Sequence, residues 1–325
     1  MTANLPLFVE LLLYAFDGVV KRNIMKAMIL AAGFGTRLKP LTKYRPKALM
    51  PVGNLPLLDR NIEYLRSAGV SAIIINAHYL AEHILQHISD SRRFGLPVEV
   101  RIEQDILGTG GGIRNVSDFW DDDPFIVLNS DILTDIDLKS AYKAHLSSGG
   151  LVTMVLHTKE PFNKILIDSR GSIQDIAKKS LPGRFAFTGI HIISPAFLEY
   201  IPHDNRLHNI VDFYRMLIAS GKTVHGYLSH GHKWHDIGTV PSYLAANQDV
   251  LNRTPFLLGN NCQVHNRAQL SDWAVIGEHC RIHEGALVER SVLWDRVIVH
   301  KGARVIDSVV TSCKEVTGDI IGGVL

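Results

Sequence analysis

Cysteine is scarce: Cys262, Cys280 and Cys313 are the only three, an odd number with no CxxC pair, all in the last quarter of the chain. That excludes a disulfide framework and a redox dithiol, and it fits a reducing, cytoplasmic setting. Long apolar runs are missing too. The best candidate, Leu5–Phe16, is too short to span a bilayer, is interrupted by Glu10 and lacks the basic flank of a signal peptide. No membrane role is expected. Nor does charge of either sign dominate, since 34 Lys plus Arg face 32 Asp plus Glu for a net +2. A field able to hold nucleic acid is excluded, and the ligand has to be read from a local site.

What is present is globular composition, 46% apolar and 20% charged over 325 residues, a length that suggests about two domains. Met25 directly precedes the first strand-like run, so residues 1–24 are expected to be an extension, either an extra amphipathic helix or the product of an early start codon. From Ala27 onward, apolar runs such as AMILAA, AIIINA and FIVLNSD alternate with helical patterns. That rhythm predicts βαβ units and a parallel sheet. Between Val152 and Ile192 the segments become strand-rich, with a Ser169-Arg170-Gly171 turn, and antiparallel additions are expected there. Helical patterns return at Pro195–Tyr200, Asn209–Ala219 and Pro241–Leu251, then stop after Arg253.

The remainder, residues 254–325, counts in sixes. Val264, Leu270, Ile276, Ile282 and Val288 recur every six residues, each followed four later by Ala268, Ala274, Cys280, Ala286 and Val292. After one five-residue step the register resumes at Leu293, Val299 and Val305, again followed by Val297, Ala303 and Val309. Hexapeptide periodicity predicts a parallel β-helix in which each rung sends one aliphatic residue inward. Cys262 and Cys280, eighteen apart, then stack in one interior column as packing residues.

The chemistry concentrates after the first strand, in LAAGFGTRLKPLTKYRPKALMPV. Gly33 and Gly35 let backbone N–H groups face an anion, Thr36 adds a hydroxyl, and Arg37 and Lys47 add charge: a polyphosphate cradle. The third glycine of a dinucleotide fingerprint is replaced by Leu38, and GxxxxGK[ST] is absent.

The whole segment resembles the signature of the sugar-1-phosphate nucleotidyltransferases. The resemblance extends to EQDILGTGGGIRN (a second glycine loop), VLNSD and WHDIGT, and to the hexapeptide tail, covering about residues 25–317. It implies an α/β fold, a Rossmann-like mixed sheet over residues 25–253, followed by a short left-handed parallel β-helix and a homo-oligomer. It also implies a reaction between a nucleoside triphosphate and a sugar 1-phosphate, GTP with mannose 1-phosphate in the first place. Such a reaction needs alignment and charge neutralisation rather than a general base. Arg37 and Lys47 would be catalytic, Asp131 and Asp236 would hold Mg²⁺, and Leu30, Ala32 and Gly108 would meet the nucleobase beside Gly33, Gly35 and Thr36. Asn129, Thr188 and Gly189 match sugar-pocket positions. A Glu-Lys pair usual before the Thr-Gly strand is replaced by Lys178-Lys179, which leaves the sugar open.

The alternatives are UTP- or dTTP-dependent transfer to N-acetylglucosamine, muramate or glucose 1-phosphate, and a non-catalytic paralogue that binds nucleotide sugar. Along a strand His230 and His232 share one face and His235 points to the other, so the three are expected at the rim of the site rather than on zinc. His265, His279, His283 and His300 are expected to serve packing or subunit contact rather than acyl transfer.

Overall fold

The computed structural model describes residues 25–325, and the Leu5–Phe16 segment lies outside them. Three strands of near-continuous apolar sequence form the centre: β1 (Lys26–Leu30), β4 (Ala72–Ala77) and β6 (Phe125–Asn129). Between β1 and β4 lie a two-stranded hairpin, β2 (Pro51–Val52) and β3 (Leu55–Pro56), and the helix α1 (Leu57–Ser67). Both faces of the central strands are buried. Ala27, Ile29, Ile73, Ile75, Ile126 and Leu128 point into one core, while Met28, Ile74, Phe125 and Val127 point into a second core on the other side. Alternation along a strand buried on both faces is what a parallel sheet between helices requires.

β1 pairs in parallel with β4 on one side and β6 on the other, and β4 continues to β5 (Val98–Ile102). The helices α2 (Ala81–Ile88) and α3 (Gly108–Asn115) complete the crossovers. After β7 (Ile132–Thr134) and α4 (Leu138–Ser148), the expected antiparallel additions follow. β8 (Val152–His157), the β9–β10 hairpin (Asn163–Ile167, Ile173–Ile176) and the nine-residue β11 (Phe185–Ile193) extend the sheet beyond β6. The hairpin closes as its turn predicts, Asp168 accepting from the backbone N–H groups of Arg170 and Ser172. α5 (Ile210–Ala219) leads to β12 (Val224–Leu228), which pairs with β8. Next come β13 (Trp234–Asp236) and α6 (Val240–Asp249), whose Thr239 and Ser242 form a capping box.

The tail is a short left-handed parallel β-helix. Val264, Ile282, Val299 and Val316 stack in one column; Leu270, Val288 and Val305 in a second; Ile276, Leu293 and Val310 in a third. Cys280 is fully buried among them, with Cys262 packed at the edge of the same core. One detail departs from the hexapeptide pattern. Five-residue steps, from Val288 to Leu293 and again from Val305 to Val310, put Ser291 in register with the inward Ala274 and leave Val292 and Val309 in register with the outward Val275. Together with Trp273, Val275 and Trp294 they form the face that packs on the preceding part of the chain, against Tyr243 and Ala246 of α6 and Leu38, Leu41, Met50 and Val52.

Candidate functional site

The chain leaves β1 toward β4 and returns to β6 on the opposite side of β1. At such a reversal the loops beyond the strand ends diverge and open a crevice. A cleft of about 350 Å³ sits there, lined by Leu30, Ala32, Gly33, Gly35, Thr36, Arg37, Lys47, Gly108, Asn129 and Asp131, with Asn76, Thr109 and Gly238. Residues scattered over most of the sheet domain are thus brought to one wall. That volume suits a small-molecule ligand.

The loop carrying Arg37 and Lys47 is held on both sides. Inside it, the Thr42 hydroxyl donates to the Gly35 carbonyl at 2.9 Å, and Tyr79 donates to the carbonyl of Lys43 at 3.0 Å. Behind it, Leu38 and Leu41 are buried against the β-helix face. The Tyr243 hydroxyl donates to the Pro51 carbonyl and accepts from Trp294 Nε1 at 2.9 Å, while the Arg45 guanidinium lies 4.6 Å over the Trp294 ring. A single surface of the tail therefore buttresses the strand-to-helix loop.

The second glycine loop is tied to the first by a buried polar chain. Ala31 N–H donates to Asn76 Oδ1 at 2.8 Å, Asn76 Nδ2 donates to Glu103 Oε1 at 2.7 Å, and Glu103 Oε2 accepts from Leu107 N–H at 3.0 Å. Removing any link strands a partner without water, at about 1–3 kcal/mol. Gly108, at φ +70°, opens α3 where a Cβ would stand 2.7 Å from the His208 carbonyl, so no other residue fits.

Asp131 precedes β7, and β7 pairs antiparallel with β13, placing Asp236 opposite Ile132. Ile237 N–H donates to the Asp131 carbonyl at 2.9 Å. Strand pairing thus sets two carboxylates side by side that are far apart in sequence. Asp131 forms an ion pair with Lys47. Asp236 is half-buried, and its Oδ1 has no hydrogen-bond partner among the described residues. Burial first, and then the charge of Asp131, push the Asp236 carboxyl above its ordinary range, against the pull of Lys47, Arg37 and Lys159. The Arg37 guanidinium lies just past β13, where a Cβ on Gly238 would meet Nη1 at 2.7 Å.

Of the expected sugar residues, Asn129 lines the cleft and Gly189 packs against it, a Cβ there falling 2.7 Å from Asn129 Nδ2. Thr188 lies apart. It is fully buried, its hydroxyl donating to the Val155 carbonyl at 2.8 Å, and its carbonyl accepts from Trp234 Nε1 at 2.9 Å. Its side chain is committed to the sheet. Lys178 is exposed and lines a separate cavity with Phe187, Asn209 and Arg215.

Among the described residues no three His, Cys, Asp or Glu side chains gather as a metal cluster. His232 and His235 instead face Asp135 and Asp249, each at 3.4 Å. In the tail, the His283 and His300 rings stack at 5.6 Å. Sequence reasoning misses Asn76 and Lys159. A polar residue closing the apolar run AIIINA is a usable signal for the first, whereas Lys159 sits in a loop without a pattern.

The nucleotidyl transferase family model matches residues 26–253, and a bacterial transferase hexapeptide model (six repeats) matches residues 257–290. A UTP–glucose-1-phosphate uridylyltransferase of Synechocystis is 29% identical over 91% of this chain and 90% of its own length. Mannose-1-phosphate guanylyltransferase 1 of Arabidopsis thaliana is 30% identical over 86% of this chain and 82% of its own. Among solved structures, HddC from Yersinia pseudotuberculosis complexed with GMP-PN superposes with a TM-score of 0.61 at 26% identity, covering 69% of this chain and 99% of that one. With the glycine loops, the paired carboxylates and the family match converging on one sheet, the chain belongs to the nucleotidyl transferase family.

Proposed function

We propose that the protein transfers a guanylyl group from GTP to mannose 1-phosphate and releases pyrophosphate. The observation that carries this reading is the meeting of Arg37, Lys47, Asp131 and Asp236 at the strand ends. An oxygen of the sugar phosphate attacks the α-phosphorus, the bond from that phosphorus to the bridging oxygen breaks, and the electron pair leaves with pyrophosphate. The nucleophile is already an anion, so no base is needed and the work is alignment and charge neutralisation. In this reading Arg37 holds the leaving phosphates on the Gly35–Thr36 turn. Lys47 balances Asp131 until substrate arrives and then meets the transferring phosphate. Leu30, Ala32 and Gly108 border the base, and Asn129 with Gly189 borders the sugar.

The donor set fits Mg²⁺: two carboxylates, one with a buried oxygen lacking a partner, are hard ligands of the type that ion takes with water and phosphate. Asp131 and Asp236 would hold it, and when bound it supplies positive charge to the phosphates of both substrates. A second reading, UTP with glucose 1-phosphate, is favoured by the likeness to the Synechocystis enzyme.

The domain division at residues 253/254, oligomerisation through the β-helix and a cytoplasmic setting belong to the same proposal. Among the described residues no helix is long and apolar enough to cross a membrane, and the three cysteines are free.

Pyrophosphate release tests the whole, with Mg²⁺ and GTP, UTP, dTTP, ATP and CTP crossed against mannose, glucose, N-acetylglucosamine and muramate 1-phosphates. Turnover of GTP with mannose 1-phosphate, abolished by EDTA, is the expected result. Turnover of a different pair replaces the substrates, and silence across the grid overturns the enzymatic reading.

A further inference from the structure

Lys159, in the loop between β8 and β9, is a charged side chain beside the carboxylates to which no role has been given. Its Nζ donates to the Trp234 carbonyl at 2.9 Å, at the start of β13. No carboxylate among the described residues pairs with it. The adjacent Glu160 is already engaged, accepting from Asn163 Nδ2 at 2.6 Å and from the Ser180 hydroxyl at 3.3 Å. An ammonium fixed on a backbone carbonyl, near the Asp236 carboxylate but bonded to no carboxylate among the described residues, is a ready partner for an anion.

Its position gives that anion an identity. Arg37 lies against Gly238, just past the end of β13, and Lys159 is anchored on Trp234 at its beginning, with Asp236 between them. Four residues of extended chain span no more than about 14 Å, so the two cations flank Asp236 along one short segment. In-line displacement needs the nucleophile and the leaving group on opposite sides of the attacked phosphorus. With the pyrophosphate at the Arg37 end, the incoming phosphate belongs at the other.

Resting on the reaction proposed above, we infer that Lys159 receives the phosphate of the incoming sugar 1-phosphate, at the end of β13 opposite Arg37. It holds the nucleophilic phosphate by charge-assisted hydrogen bonds, and the anchoring carbonyl keeps the ammonium in place before substrate arrives. Lys159 and Lys178 are both exposed, but Lys178 lines a different cavity and does not take this part.

The test is steady-state kinetics on the full chain, with whichever nucleotide and sugar 1-phosphate pair the wild-type enzyme turns over. Lys159→Gln raises KM for the sugar 1-phosphate at least tenfold and leaves KM for the nucleotide within twofold, and Lys159→Arg recovers most of the loss. Because the lysine also braces β13, Lys159→Met and thermal melts of each variant separate a folding defect from a binding one. The inference is overturned by a loss confined to kcat, by equal rises in both KM values, or by a larger sugar effect in Lys178→Gln. A wild-type enzyme silent with every pair overturns the reaction itself, a different outcome from an active wild type whose Lys159 variants bind sugar phosphate normally.

Discussion

The cleft and the β-helix corners differ in which residues carry left-handed backbone. Around the cleft it is carried by glycine, at Gly35, Gly108 and Gly189. In the β-helix glycine carries it at one corner, Gly285 and Gly302, but side-chain-bearing residues carry it at the others: Asn261, His279, Arg296 and Cys313 at one, Asp272, Arg290 and Asp307 at another. Each such corner costs about 1–2 kcal/mol, and several are offset by ladders between coils, such as Arg290 Nε and Nη2 donating to Asp307 at 2.7 and 2.9 Å. Where a ligand or a neighbouring loop must come close to the backbone, no Cβ is admitted. Where corners point to solvent, the side chain becomes the fastening. The catalytic half is shaped by what must approach it, and the tail by its own repeat.

The sharpest way to break that contrast is at the cleft. Lys47→Ala should lower kcat by about 10²–10³-fold while the melting temperature barely moves, as pyrophosphate release and thermal melts would show. A comparable loss of melting temperature would make Lys47 a structural residue instead.

Adjacent tail residues divide the two halves more finely. Leu293 faces the β-helix interior and Trp294 faces the catalytic domain. Trp294→Ala should cost about 3–5 kcal/mol and Leu293→Ala about 2–5 kcal/mol. Only the first should also depress kcat at a temperature where both are folded, since only Trp294 backs the loop that carries Lys47. Equal kcat values would reduce the tail to a passive appendage.

A smaller effect concerns pH. Burial and Asp131 raise the Asp236 carboxyl in the folded state, so ionised Asp236 disfavours folding at pH values above its folded pKa. That penalty disappears as the pH falls through the carboxylate range. Asp236→Asn should therefore raise the melting temperature near pH 8, and the gain should shrink toward pH 4. A gain independent of pH would locate its cause elsewhere. Smallest of all, Arg45→Gln removes the guanidinium from the Trp294 ring and should cost about 0.5–1 kcal/mol, visible in denaturant melts.

How much of this was legible from the residues alone depends on the range of the interaction. The β-helix was, because each coil repeats one local rule, and even the five-residue step at Leu293 was visible, though not that it would turn Val292 outward. The parallel core was, because Ala27–Leu30 and Ile73–Ile75 are apolar on both faces. The glycine loop stood out by its own composition, and it lines the cleft. Asp131 beside Asp236 was not readable from spacing, since β7–β13 pairing joins them across intervening strands and helices; only resemblance put them together. The Ala31–Asn76–Glu103–Leu107 chain was hidden for the same reason, as was the turn of the Thr188 hydroxyl toward the Val155 carbonyl, since sequence does not show which way a buried hydroxyl points.

The buttress behind the loop that carries Arg37 and Lys47 also dictates the order in which the protein can be finished. Gly53 is bonded to Asn247 across 194 residues, Pro51 to Tyr243 across 192, and Asn54 to Ile276 across 222. During synthesis, the segment that makes Lys47 useful is therefore among the earliest to emerge and among the last to be fixed. Contacts of such long range are slow to form, so a nascent chain stopped before its first β-helical coil carries the signature loop without its back wall. Activity should arrive late and abruptly as the chain lengthens, when the coil bearing Trp294 docks.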